Sequence, residues 1–254
     1  MWESDFLAQI GLVSISFRAL SADDIVRLCS EAKLPCIEWG SDVHAVPENR
    51  EALLHIRELQ SRSGISCSSY GTYFKLGKSD PQEFSKYLDA SDILGTDTLR
   101  LWCGVKGSAD YMPEKRAQVV SDAKRVAKEA AARGKTVLLE CHPKTLTDDT
   151  DSSLRLMQEV DSPAFRMMWQ PNQYKSLEYN LDSARRLAPF VGNVHVFQWD
   201  EKHHYPLSDG TEVWRRYFRL LPDAAHYLLE FVPGNDPAVL AREADSLRMI
   251  LAGL

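Results

Sequence analysis

The sequence predicts a (β/α)8 barrel. Three observations carry this. Short apolar runs alternate with longer stretches of helical period through the whole chain, eight of each. The runs are nearly continuous in apolar residues, as in Val137-Leu138-Leu139, which is the pattern of parallel strands buried on both faces. The length of 254 residues is that of one such barrel.

Taken in order, the expected strands cover 10–16, 36–39, 65–70, 98–102, 136–140, 165–170, 193–198 and 227–231. The expected helices cover 21–33, 48–63, 81–94, 113–133, 149–160, 177–187, 210–220 and 237–251. Ser21 precedes Ala22-Asp23-Asp24, so a hydroxyl N-cap leads into acids at the positive end of the helix dipole. In the fourth helix Val119, Val120, Ala123, Val126, Ala127 and Ala130 form one apolar stripe, and Arg133-Gly134 ends it. Gly64 and Gly95 end earlier helices in the same way. An open doubly wound sheet is the weaker alternative, because no glycine-rich GxGxxG turn follows the first strand. No linker, repeat or low-complexity tract divides the chain, so residues 1–254 are expected to form a single domain.

Composition narrows the function. The net charge of -6 argues against a nucleic-acid or anionic-membrane partner, both of which select clustered Lys and Arg. No apolar run reaches the ~18 residues of a membrane span, and no signal-like segment opens the sequence. Cys29, Cys36, Cys67, Cys103 and Cys141 are odd in number and form no CxxC pair, so they read as reduced packing residues. The expected location is the cytoplasm. A homo-oligomer is compatible with the sequence.

In this barrel class chemistry sits where the strands end. Those ends carry Glu38, Tyr70 to Lys75, Arg100 and Trp102, Glu140 and His142, Gln170 and Asn172, His195 to Asp200, and Glu230. Glu140, His195 and Glu230 lie on different strands of the ring, so their side chains can converge on the axis. Two carboxylates and an imidazole suit Mn, Mg, Co or Zn. The bland alternative pairs each glutamate with a basic neighbour such as Arg100.

The phrases Ile37-Glu38-Trp39-Gly40, Leu139-Glu140-Cys141-His142, Trp169-Gln170-Pro171-Asn172 and Leu228-Leu229-Glu230-Phe231-Val232 resemble the xylose isomerase-like, sugar phosphate isomerase/epimerase superfamily over essentially the whole chain. That resemblance implies one divalent metal ion held by Glu140, Gln170, His195 and Glu230. It also implies Glu140 and Glu230 as the acid/base pair, and a small carbohydrate or sugar-derived ketone as substrate. Position 170 departs from the pattern, being Gln where the epimerases usually carry Asp. The amide oxygen still suits a hard cation but contributes no charge, and Asn172 is a substitute donor.

Around this set, His44, Tyr70, Lys75, Arg100, Trp102, His142, Asn172, Trp199 and His204 are the candidate substrate contacts. Arg100 and Lys75 can bind an anionic group or neutralise Glu38. His142 can hydrogen-bond substrate or orient a carboxylate. Trp39, Tyr70, Tyr73, Trp102, Trp169 and Trp199 can stack on a sugar, although core packing claims most aromatics in any barrel. The polar 200–210 segment, with His203-His204, is long for a βα loop and can cover the substrate. The expected reaction is isomerisation or epimerisation by proton removal next to a carbonyl. A metal-dependent lyase or dehydratase is the second reading, and a carbohydrate-binding barrel without catalysis the third. An apurinic nuclease fits poorly with seven scattered histidines and an acidic balance.

Overall fold

Strands that are apolar on both faces must be covered on both faces, and a closed ring inside a helical shell achieves this. The computed structural model describes residues 10–200 and 202–254 and has this architecture. Eight parallel strands close into a barrel in sequence order: β1 Ile10–Val13, β2 Cys36–Gly40, β3 Ser66–Leu76, β4 Thr98–Cys103, β5 Thr136–Glu140, β6 Phe165–Trp169, β7 Val191–Val196 and β8 His226–Leu229. Gly11 pairs with Cys36 on one side and Leu228 on the other, which closes the ring. The helices are α1 Ala22–Glu31, α2 Arg50–Ser63, α3 Phe84–Leu94, α4 Pro113–Ala132, α5 Thr150–Val160, α6 Leu177–Leu187, α7 Thr211–Leu220 and α8 Leu240–Ala252, one after each strand. None of the described helices is long and apolar enough to cross a membrane.

The local signals operate as their chemistry requires. Ser21 Oγ accepts the Asp24 amide at 3.1 Å and caps α1. Gly64 and Gly95 are left-handed C-caps at φ 69° and 75°. The stripe on α4 is buried as expected, with Val120 at its edge. All five cysteines are free thiols, and burial raises each of them, Cys36 and Cys141 to about 12.

Most boundaries shift by one to three residues, the seventh strand for example from 193–198 to Val191–Val196, and two differences bear on the site. The run 10–16 stays extended only to Val13, and Ser14–Phe17 form a 3-10 turn. The turn has a polar reason: Ser14 Oγ accepts the Gly40 amide at 2.9 Å, and Ser16 Oγ accepts the Phe231 amide at 3.0 Å. The third strand continues past Tyr70 to Leu76, with a register shift against β4 between Gly71 and Lys75. That extension carries Tyr73 and Lys75 to the rim of the barrel.

Strand alternation sorts the strand residues into two sets. Trp39, Tyr70, Trp169 and Tyr227 face the helices. Trp39 Nε1 donates to Gln60 on α2, Tyr70 Oη to the Ala45 carbonyl, Trp169 Nε1 to Ser183 on α6, and Tyr227 Oη to the Leu221 carbonyl. Their neighbours Glu38, Ser69, Gly71, Arg100, Glu140, Gln170, His195 and Glu230 belong to the interior set.

Candidate active site

The interior set forms a buried chain of charge at the C-terminal end of the barrel. Arg100 on β4 donates from Nε to Glu38 Oε1 at 2.7 Å, and its Nη1 pairs with Glu140 Oε2 on β5. Glu38 on β2 accepts the Ser69 hydroxyl at 2.6 Å and lies 3.4 Å from His195 Nε2 on β7. His195 Nδ1 in turn lies 3.3 Å from Glu230 Oε2, just beyond β8. Glu230 is the most exposed of the five, at 6%.

Three carboxylates this deep are costly unless compensated. Burial pushes the Glu38 carboxyl upward, but Arg100 and His195 outweigh it and hold it well below the usual carboxylate range. Burial pulls His195 down, yet Glu230 and Glu38 raise it to about 10. Desolvation works against the Arg100 charge too, and the glutamates around it more than restore it. Gly71 makes the arrangement possible. A Cβ there would lie 2.7 Å from Arg100 Nη2 and 2.8 Å from Glu38 Oε1.

Two buried polar atoms in this cluster have no hydrogen-bond partner, Gln170 Oε1 and His195 Nδ1. Gln170 uses its Nε2 on Glu140 Oε1 at 3.2 Å, which turns the amide oxygen away from that carboxylate. His195 Nδ1 is near Glu230 without hydrogen-bond alignment. An orphaned amide oxygen, an orphaned imidazole nitrogen and two carboxylates are the donor types a hard or borderline divalent ion takes. By donor type, Glu140, Gln170, His195 and Glu230 fit the metal that the resemblance implies. The charge supplied is smaller than in an Asp-bearing set, and Arg100 already holds one oxygen of Glu140. Among the described residues no three His, Cys, Asp or Glu side chains are gathered for a metal; the four stand as two pairs, Glu140 with Gln170 and His195 with Glu230.

The remaining candidates divide between rim and scaffold. Lys75 Nζ stands 4.9 Å from the Trp102 ring centre, and Trp102 stacks on His142 with ring centres 4.3 Å apart. His142 Nδ1 is 2.7 Å from the Pro143 carbonyl, so Nδ1–H donates to it. Across the barrel Trp199 and His204 pack on Phe231, the latter stacked at 5.8 Å. Trp199 and His204 also form an isolated antiparallel bridge, which folds the 200–210 segment back on itself. Glu201 in that segment lies outside the described residues. Adjacent His203 points elsewhere, toward Tyr205.

His44 and Tyr70 are placed away from this rim. His44 is closed on Ser14 Oγ and the Leu20 carbonyl, and the Tyr70 hydroxyl is spent on Ala45. Asn172 stabilises its own loop: its amide meets Asn180 Oδ1 at 2.8 Å and its Oδ1 accepts the Tyr174 amide. The Asn172 loop borders a cleft of about 190 Å³ that reaches Trp199 and Tyr217, beside the axial cluster. Arg100 neutralises Glu38, one of the two roles its sequence position suggested.

Sequence reasoning missed the functional weight of Glu38, Ser69 and Gly71. The signal was present: a glutamate inside an apolar strand run needs a buried partner. Phe231 was missed as well. It holds a left-handed φ of 54° directly after Glu230, and its amide is tied to Ser16.

The family model described as xylose isomerase-like TIM barrel matches residues 26–249. A 3-dehydroshikimate dehydratase of Bacillus anthracis is 28% identical over 197 residues, covering 72% of this chain and 69% of that protein. The crystal structure of the probable 3-DHS dehydratase AsbF, involved in petrobactin synthesis in Bacillus anthracis, superimposes with a TM-score of 0.80 at 22% identity, covering 94% of this chain and 98% of that one. The D-allulose 3-epimerase of Methylomonas sp., solved with D-allulose, gives a TM-score of 0.74 at 15% identity over 94% of this chain and 95% of that one.

Proposed function

The chain belongs to the xylose isomerase-like TIM barrel family, and we propose that within it the protein is a metal-dependent lyase that removes water from a small cyclic β-hydroxy ketone. The observation that carries this reading is the 28% identity to a dehydratase over 197 residues, on a chain with acids at the ends of β5 and β8. Sequence reasoning placed isomerisation first and elimination second. Both begin with loss of a proton next to a ketone, and the likeness to a dehydratase supports elimination at least as strongly.

In this proposal Glu140, Gln170, His195 and Glu230 would hold the ion. When bound, the ion supplies Lewis-acid stabilisation of negative charge on the ketone oxygen. One carboxylate of Glu140 or Glu230 removes the proton on the carbon next to the ketone. The electron pair forms the new carbon–carbon double bond, and the C–O bond on the next carbon breaks. The departing hydroxide takes a proton from a protonated acid and leaves as water. His142, its Nδ1 used on the Pro143 carbonyl, would hydrogen-bond a substrate hydroxyl through Nε2. Trp102 and Trp199 offer flat apolar faces to the ring, and Lys75 offers a cation to an anionic substituent.

Epimerisation is the second reading, favoured by the fold shared with D-allulose 3-epimerase. One experiment separates them. The manganese-loaded protein is incubated in D2O with cyclic β-hydroxy ketones and with ketoses. New ultraviolet absorbance with loss of water is expected. Deuterium incorporation into a ketose with interconversion, and no elimination product, would overturn the lyase. Glu230→Gln is expected to keep the fold by circular dichroism and lose turnover by at least ~100-fold. Activity near that of the wild type would remove Glu230 from the mechanism.

A further inference from the structure

A metal-ligating histidine offers one ring nitrogen to the ion, and the partner of the other nitrogen decides which one. His195 has an unequal pair of neighbours. Nε2 lies 3.4 Å from both oxygens of Glu38, which is fully buried, while Nδ1 lies 3.3 Å from Glu230 Oε2 without hydrogen-bond alignment, and Glu230 is itself a candidate ligand. Glu38 is itself fixed. Its Oε1 accepts Arg100 Nε at 2.7 Å, and its Oε2 accepts the Ser69 hydroxyl at 2.6 Å. Ser69 Oγ also receives Asn193 Nδ2 at 3.4 Å, and that bond leaves the serine proton for Glu38. An ionised carboxylate has only acceptor sites, and this one, unlike Glu230, is held in place by two donors, so it meets the imidazole through a fixed N–H contact.

We propose that Glu38 is a positioning residue, which keeps the proton of His195 on Nε2 and so presents Nδ1 as the ligand to the divalent ion. The inference rests on the metal-dependent reading above and goes beyond it, since Glu38 touches neither ion nor substrate. A purely structural carboxylate would serve Arg100 equally well without His195 beside it. The position of His195 Nε2 opposite both oxygens is what adds the second role.

The test uses the full-length protein, 15N-labelled at histidine, with Zn(II) alone as the probe. In the zinc-loaded wild type, His195 is expected to show a protonated Nε2 and a zinc-shifted Nδ1. Glu38→Gln keeps the shape but replaces one acceptor oxygen by a donor. It is expected to lose the Nε2–H signal and to bind zinc about 10- to 100-fold more weakly. Ser69→Ala removes one hydrogen bond from the same carboxylate without removing its charge, and is expected to hold zinc within a few-fold of the wild type. Ligation through Nε2 with Nδ1–H in the wild type would overturn the inference, and this measurement needs no variant to fold. Unchanged zinc affinity with a retained Nε2–H in Glu38→Gln would overturn it as well, leaving the metal-dependent reading intact. A wild type that binds no zinc at Glu140, Gln170, His195 and Glu230 would overturn both together.

Discussion

At the scale of the residue, the site is a balance of buried charges, and Gln170 is where that balance departs from an all-carboxylate pattern. Its Nε2 supports Glu140 and its Oε1 is left without a partner. Gln170→Asp replaces the hydrogen bond by a second carboxylate beside Glu140, a repulsion that only a cation relieves. The metal-free variant is therefore expected to melt several degrees below the wild type, while manganese raises its Tm by more. Thermal melts with and without manganese check this; an unchanged metal response would remove residue 170 from the ligand set. The reason that Glu38 escaped a sequence reading also lies at this scale. Arg100, 62 positions away, was a foreseen partner, but His195 lies 157 positions away and no local pattern announces it. The pairing of Gln170 with Glu140 and of His195 with Glu230 follows from barrel topology, which brings all strand ends to one mouth.

At the scale of the element, much was legible, because helix signals are local. Ser21, Gly64 and Gly95 cap the helices they were expected to cap. Ser21→Ala is expected to lower stability by ~1 kcal/mol, read from urea unfolding, with activity retained. The strand ends were less legible. Ser14 and Ser16 look like strand residues in an apolar run, and only their bonds to Gly40 and Phe231, far along the chain, explain the 3-10 turn. On β3 the element and the site meet at Gly71. Gly71→Ala would drive a methyl into the Arg100–Glu38 pair. Neither partner can retreat without stranding a buried charge, so the expected cost is on the order of 3 kcal/mol, with activity lost alongside stability. A variant as stable and active as the wild type would mean that the pair can shift to make room.

At the scale of the whole molecule, the buried charges couple stability to pH, and the groups involved act in opposite directions. Glu38 titrates below its unfolded value, so its contribution is present above the unfolded carboxyl pKa of ~4.3 and is lost as pH falls further. His44 and His226 are lowered by burial, so each favours the fold above ~6.5 and opposes it as pH falls below. His195 has the opposite sign. Burial opposes its charge, but Glu230 and Glu38 raise it to about 10. Its contribution is therefore complete below ~6.5 and is lost steadily as pH rises toward 10. The buried thiols are raised too, but they weaken the fold only where unfolded cysteines ionise, near 8.5 and above. Between about pH 6.5 and 7.5 His195 is thus the main group whose loss of stabilisation is under way. In EDTA, the wild type minus His195→Gln difference in unfolding free energy is expected to fall through this window. The slope has an upper bound of about 1.4 kcal/mol per pH unit, the value for one proton. Urea titrations of both proteins at half-unit pH steps measure that difference. A flat difference would mean that His195 is neutral in the folded protein at pH 7, and that the two glutamates do not hold a charged ring between them. A falling one would mean that an incoming divalent ion must displace a proton from Nδ1, and metal affinity would then climb with pH over the same range.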